Sequence, residues 1–187
     1  QFNQSVIAYT PEEMNGKYDV IFLMTKQQHN KEVVQMLDNY LASDGALVTF
    51  QNGLPEMQIA DILGAERVLG CTVAWGATLK EAGVCELTSE PDALSFSLGT
   101  VCEKRNKNFD NIKAVLELMG KVDVEENFIG TRWSKLLINA AFSGMSAVLG
   151  CTFGEAAGPR ASRRIVQTLI KECIDVCKAG GIRIEPV

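Results

Sequence analysis

Lys135, Asn139 and Ser143 recur every four residues in "WSKLLINAAFSG" (133–144), inside a run that is otherwise almost wholly apolar. Residues four apart share one side of an α-helix, so the three make a polar stripe. Leu136, Leu137, Ile138, Ala140, Ala141 and Phe142 cover most of the remaining circumference, the pattern of a helix buried on most sides. A lysine on such a helix is either the wetted edge of a packed element or a working group. In the second case its chemistry is proton donation, because partial desolvation disfavours the ammonium and lowers its pKa toward neutrality. Asn139 and Ser143 would then offer uncharged hydrogen bonds to a small polar substrate.

Two more polar signatures follow runs that read as strands. "TKQQHN" (25–30) puts Thr25 and Lys26 at the end of the strand run "DVIFLMT" (19–25), and "QNG" (51–53) sets Asn52 ahead of a glycine suited to a tight turn. Taken singly, a lysine often just ends a strand and Asn-Gly often just turns the chain. Side by side on one sheet edge they have a joint use: the lysine can meet phosphate, and the asparagine amide can both donate and accept. Acid chemistry of this kind needs no histidine. His29 is the only one, so a multi-histidine metal site is excluded and any Ser-His or Cys-His pair would have to use that ring.

The elements that must position these groups alternate. Buried strands are expected at 19–25, 45–53 and 66–75, each a near-continuous apolar run. Helices are expected between them, at 30–42 on Val33, Val34, Met36, Leu37, Tyr40 and Leu41, and at 55–63 with Pro55 in the first turn. Such alternation implies parallel pairing with right-handed crossovers, and open sheets of this type bind ligands at the carboxyl ends of their strands. "GVCELTS" (83–89) and "ALSFSLG" (93–99) alternate apolar and polar residues and read as an antiparallel hairpin at the sheet edge. A helix at 106–120 should bury Phe109, Ile112, Val115, Leu116 and Met119, and a short strand is expected at 122–128.

Beyond that strand everything reads helical. The run around Lys135 extends to about Leu149, and 161–181 repeats apolar residues at Val166, Leu169, Ile170, Cys173 and Cys177 before glycines end it. The expected fold class is α/β: part of a mainly parallel sheet domain over 1–127, then an all-helical second domain over 128–187. The cleft between them is where the Lys135 stripe would face the strand ends.

Composition narrows the function class. With 47% hydrophobic and 22% charged residues, 187 residues can bury a core in one or two domains. A net charge of −5 argues against nucleic acid as a partner. No apolar run approaches the roughly 18 to 20 residues that span a bilayer, and the polar opening "QFNQ" is no secretory signal. The six cysteines show neither a CxxC nor zinc spacing, and read as small buried hydrophobes in a reducing cytoplasm, the expected location.

The order of these parts resembles the ketopantoate reductase family, the NADPH-dependent 2-dehydropantoate 2-reductases. The matching pieces are "TKQQ", "QNGLP", "GCTVAWGATLKEAG" and "WSKLLINAAFSGMSA", and the K-x-x-x-N of the last is the most specific. The resemblance implies a Rossmann-like first domain, NADP as cofactor and a small 2-oxo acid as substrate, within pantothenate biosynthesis. By position it makes Lys135 the proton donor and a substrate contact, and Asn139 a substrate ligand. Lys26, Asn52 and Ala77 would line the cofactor, with Asn52 also near the substrate. It also admits a homodimer through the helical domain.

Departures from the family pattern stand beside the matches. The opening strand with its G-x-G-x-x-G turn and the later helices carrying an active-site serine and glutamate are not in these residues, so an interior fragment, inactive alone, is expected. Ser143 stands where a second asparagine is common, Trp75 where a histidine is common, and Phe153 where some members place a polar substrate ligand. These changes leave open a related NAD(P)H-dependent reductase of another small 2-oxo acid, or a non-catalytic binding or dimerisation module of the same fold.

Overall fold

The computed structural model describes residues 4–186. In chain order the main elements are β1 (Tyr18–Leu23), α1 (Asn30–Asp38), β2 (Leu41–Thr49), α2 (Pro55–Leu63), β3 (Val68–Val73), β4 (Ala77–Glu81), β5 (Val84–Leu87), β6 (Ser95–Thr100), α3 (Phe109–Glu117) and β7 (Lys121–Glu125). Helices follow: α4 (Phe128–Ile138), a π-helical turn (Asn139–Ser143), α5 (Gly144–Leu149), α6 (Phe153–Ala157) and α7 (Arg160–Ala179). The main sheet has the order β1-β2-β3-β6-β7. β1, β2 and β3 are mutually parallel, β6 runs antiparallel to β3, and β7 is parallel to β6. The fold is thus α/β with a mostly parallel sheet, followed by helices.

Both faces of the sheet are covered at its centre, which is why residues 45–49 of β2 and nearly all of β3 are buried, while β1 at the edge buries only Leu23. On one face Ala46, Val48, Leu69, Cys71, Phe96 and Leu98 pack with Phe109, Ile112 and Leu116 of α3. On the other, Leu23, Leu47 and Val68 pack with Val34 and Leu37 of α1 and Ile59 and Leu63 of α2. A third cluster joins the helices through Ala141, Met145, Ala156 and Val166.

The structure corrects three sequence expectations. Residues 83–89 and 93–99 do not form a hairpin with each other. β5 pairs with β4 in a separate, fully exposed ribbon, Ala77 opposite Leu87, closed by the two-residue link Ala82–Gly83 with Gly83 at φ 78°. β6 instead lies inside the main sheet, because Phe96 and Leu98 need the α3 face and Gly99 leaves room for a helix on the other. Tyr40 and Leu41 leave α1, which stops at Asp38; Leu41 is buried opposite Tyr18 as the start of β2. Finally, α3 buries a narrower stripe than expected: Val115 and Met119 are exposed, since Phe109, Ile112 and Leu116 already fill the contact with the sheet.

Candidate active site

The helix carrying Lys135 is laid along β3 by missing side chains. Gly70 and Gly99 are cross-strand partners in β3 and β6. A Cβ on Gly70 would come within 1.9 Å of the Phe128 ring, and one on Gly99 within 2.4 Å of the Phe128 Cβ. Only glycines leave room for Phe128, which is 1% exposed. One turn on, Arg132 sends Nη2 to the carbonyls of Thr49 and Cys71, at 3.2 and 3.4 Å. A further turn on, Lys135 Nζ donates to the Val73 carbonyl at 2.8 Å. Successive turns of α4 therefore meet Gly70, Cys71 and Val73, and deliver the lysine to the carboxyl end of β3.

Arg132 is itself almost wholly buried and paired. Its Nε donates to Glu56 Oε1 at 2.6 Å, Nη2 contacts the same oxygen, and both side chains are 1% exposed. Burial pushes the Glu56 carboxyl up while the guanidinium opposes that shift. Beside this pair, Lys135 is half-buried. Desolvation first, and then the positive Arg132, hold its ammonium below the ordinary lysine value of 10.5. Cys71, on the same strand, is pushed up to about 12 by burial and stays a neutral thiol.

The polar stripe survives a change of helix type. Asn139 begins and Ser143 ends the π-helical turn, the first half-buried and the second exposed. Four α-helical residues advance about 40° past a full turn, whereas four π-helical ones fall roughly 30° short. The two nearly cancel, so Ser143 returns close to the azimuth of Lys135. π turns of this kind concentrate at functional sites.

Lys26 and Asn52 lie on exposed turns after β1 and β2. The turns are joined below by a buried amide pair: Asn30 Nδ2 donates to Gln51 Oε1 at 2.9 Å, and Gln51 Nε2 returns to Asn30 Oδ1 at 2.8 Å. Gln51 Nε2 also donates to the Thr25 carbonyl at 2.8 Å. Above, Gln27 Nε2 donates to the Asn52 carbonyl at 3.1 Å. Gly53, at φ 88°, is pressed against that Gln27 amide, so its place in the turn suits glycine on both counts. A cavity of about 220 Å³ lies between residues 24–28 and 50–52. A larger hollow of about 400 Å³, by Cys102, Arg105 and Glu125, sits at the opposite end of the sheet, away from these strand ends.

The remaining sequence-selected positions fall as follows. Ala77 opens β4, just beyond the end of β3, and is exposed. Trp75 packs edge-on against Phe96 at 5.8 Å, with an indole N–H that is buried and without a partner among the described residues. Phe153 stacks on Phe142 at 5.7 Å within the helices. Sequence reasoning missed Arg132, Glu56, Asn30 and Gln51. A cation one turn before Lys135 on an apolar helix was a readable signal for the first. Nothing local marks the amide pair, whose members are far apart in sequence.

Residues 1–99 match the model of the family described as ketopantoate reductase PanE/ApbA, and residues 127–187 match that of its C-terminal part. The chain belongs to the ketopantoate reductase family. A curated 2-dehydropantoate 2-reductase from Pyrococcus horikoshii is 26% identical over 171 residues, covering 91% of this chain and 55% of that protein. The chain thus spans little more than half the length of this relative. Among solved structures, a 2-dehydropantoate 2-reductase from Geobacter metallireducens superposes with a TM-score of 0.78 at 23% identity, over 90% of this chain and 55% of the other. A D-mandelate dehydrogenase, solved with NADH and anilino(oxo)acetate, also reaches 0.78 at 17% identity, over 94% and 56%. Likeness at these identities shows the shared fold.

Proposed function

We propose that the full-length protein reduces the ketone of 2-dehydropantoate to the alcohol of pantoate with NADPH, in pantothenate biosynthesis. One observation carries the reading: the Lys135 amine reaches the carboxyl end of β3, held by a single backbone carbonyl at 2.8 Å. An ammonium half-desolvated there, with a lowered pKa, is suited to protonate a developing alkoxide. Asn139 and Ser143 continue the same stripe and would orient the acid and hydroxyl groups of the substrate. We take 1–127 as the partial dinucleotide-binding unit and 128–187 as the partial substrate-binding and dimerisation unit. The exposed apolar residues Val148, Leu149, Phe153 and Ile165 support a homodimer through the latter.

The residues present fit a nicotinamide dinucleotide in part. An exposed lysine and an exposed asparagine stand on two turns fixed by buried amide bonds, which is the donor set that phosphate and ribose hydroxyls require. Lys26, Asn52 and Ala77 would hold it, with Asn52 reaching toward the substrate. When bound, the nicotinamide supplies the hydride. The protein's own part is to place the ketone, shield it from water and give up the Lys135 proton.

A second reading keeps this chemistry and changes the substrate to another small 2-oxo acid, with NADH as donor. It is supported by the D-mandelate dehydrogenase neighbours, both solved with NADH. Turnover of a panel of 2-oxo acids with NADPH and NADH, by the full-length protein, separates the two. Lys135→Ala is expected to cut turnover by about 10²- to 10⁴-fold with cofactor affinity nearly unchanged. Asn139→Ala is expected mainly to raise the KM for the 2-oxo acid. Cofactor binding without turnover of any acid would replace both readings with a binding module, whereas full turnover by Lys135→Ala would remove that lysine as the proton donor.

A further inference from the structure

We propose that the buried Arg132–Glu56 pair is a positioning device for Lys135, pinning α4 to α2 and fixing a positive charge one helical turn from the ammonium. This inference rests on Lys135 being the proton donor proposed above. Arg132 is far too buried for a surface ion pair, and its partner comes from the helix that follows the Asn52 turn. The same guanidinium holds the carbonyls of Thr49 and Cys71, on two adjacent strands. One side chain therefore links α4, α2, β2 and β3 immediately beneath the lysine. An apolar pair of equal volume would fill this space at lower desolvation cost, so packing alone does not account for it.

The charge has a direction of action. The groups facing Lys135 are Arg132 on its own helix, the Cys71 thiol on β3 and, behind Arg132, Glu56 on α2. Cys71 is neutral at working pH, so Arg132 is the charge that Lys135 senses most directly. It makes the ammonium a readier donor, and Glu56 tempers that effect while satisfying the guanidinium. Arg132 and Glu56 touch neither substrate nor cofactor in this scheme; they act through Lys135.

The test reads the proton affinity of Lys135 without using turnover. Acetylation of the full-length protein is followed by mass spectrometry across pH, comparing Lys135 with an exposed lysine. In Arg132→Met/Glu56→Leu the Lys135 midpoint is expected to rise by about one pH unit, a tenfold change in proton affinity. In Glu56→Gln, which keeps the shape and leaves Arg132 unneutralised, it is expected to fall. Arg132→Lys should keep the midpoint near that of the unaltered protein. Unchanged midpoints in the folded double variant and in Glu56→Gln would overturn the proposal and leave the pair as structural glue. Should the double variant fail to fold, Glu56→Gln decides alone. The donor reading is judged separately: full turnover by Lys135→Ala would end it, whereas the labelling midpoints would still report whether the pair tunes the amine.

Discussion

Asn30 and Gln51 bond to each other through their side-chain amides in both directions, at 2.9 and 2.8 Å, with 1% and 5% of their surfaces exposed. Each satisfies what burial would otherwise leave unpaired. The pair joins the start of α1 to the turn after β2, and so fixes the relative height of Lys26 and Asn52. Asn30→Ala removes one partner from each end of the buried Gln51 amide and is expected to cost about 1 to 3 kcal/mol of stability. Nicotinamide cofactor affinity should fall with it, although Asn30 is buried below the exposed turns. Urea unfolding and a fluorescence titration of cofactor check the two effects; a destabilised variant with unaltered cofactor affinity would separate the pair from the site.

Lys26 is exposed after β1, where a charge contributes little to folding and the proposed cofactor contact is free to form. Lys26→Ala is expected to weaken NADPH binding by about 1 to 3 kcal/mol, the range of a charge-assisted hydrogen bond. Turnover at saturating cofactor should change much less. An equal affinity in both proteins would reduce Lys26 to a strand terminator.

For Lys135 the pH dependence has a definite sign. If Lys135 is the donor proposed above, its ammonium must be present at the start of reduction, so turnover should fall as pH rises through a pKa that lies below 10.5. Stability moves the other way. The folded state binds this proton less tightly than the unfolded chain, so the group opposes folding below its folded pKa, and the opposition fades as pH climbs toward 10.5. Lys135→Met should abolish that rise in stability, measurable as the pH dependence of thermal midpoints.

Phe128 rests on two facing glycines, and the socket has no slack. Gly70→Ala places a methyl inside the ring's van der Waals envelope and is expected to destabilise by about 1 to 3 kcal/mol or more. Gly70→Ala combined with Phe128→Leu should recover part of that loss. A double-mutant cycle by chemical denaturation measures the coupling, and strict additivity would mean that the ring moves away freely.

β3 and residues 45–49 of β2 were legible because burial on both faces leaves an apolar run; β1 was found from a similar run, but as an edge strand it buries only Leu23. β6 was not legible, and the reason is instructive. Gly99 is small because Phe128 lies on it, but in sequence Ser97 and Gly99 alternating with Phe96 and Leu98 look like a face turned to water. The lysine stripe was readable from spacing, yet the group that accepts the Lys135 hydrogen bond is the backbone carbonyl of Val73, which no side-chain pattern encodes. Arg132 and Glu56 escaped for a related reason: charged residues default to the surface, and only the fold reveals that each is the other's counter-ion.

The π-helical turn bears on how this chain is matched to its relatives. Such a turn is equivalent to an α-helix holding one additional residue, with the helix beyond it left in phase. Ser143 follows Lys135 by eight positions here, but it occupies the azimuth that a straight α-helix reaches at seven. An ungapped alignment through 139–143 therefore pairs Ser143 with the wrong residue of any relative whose helix is regular. The residue seven places after that relative's lysine is its true counterpart, and a substrate preference inferred from the eighth column would describe a different side of the helix.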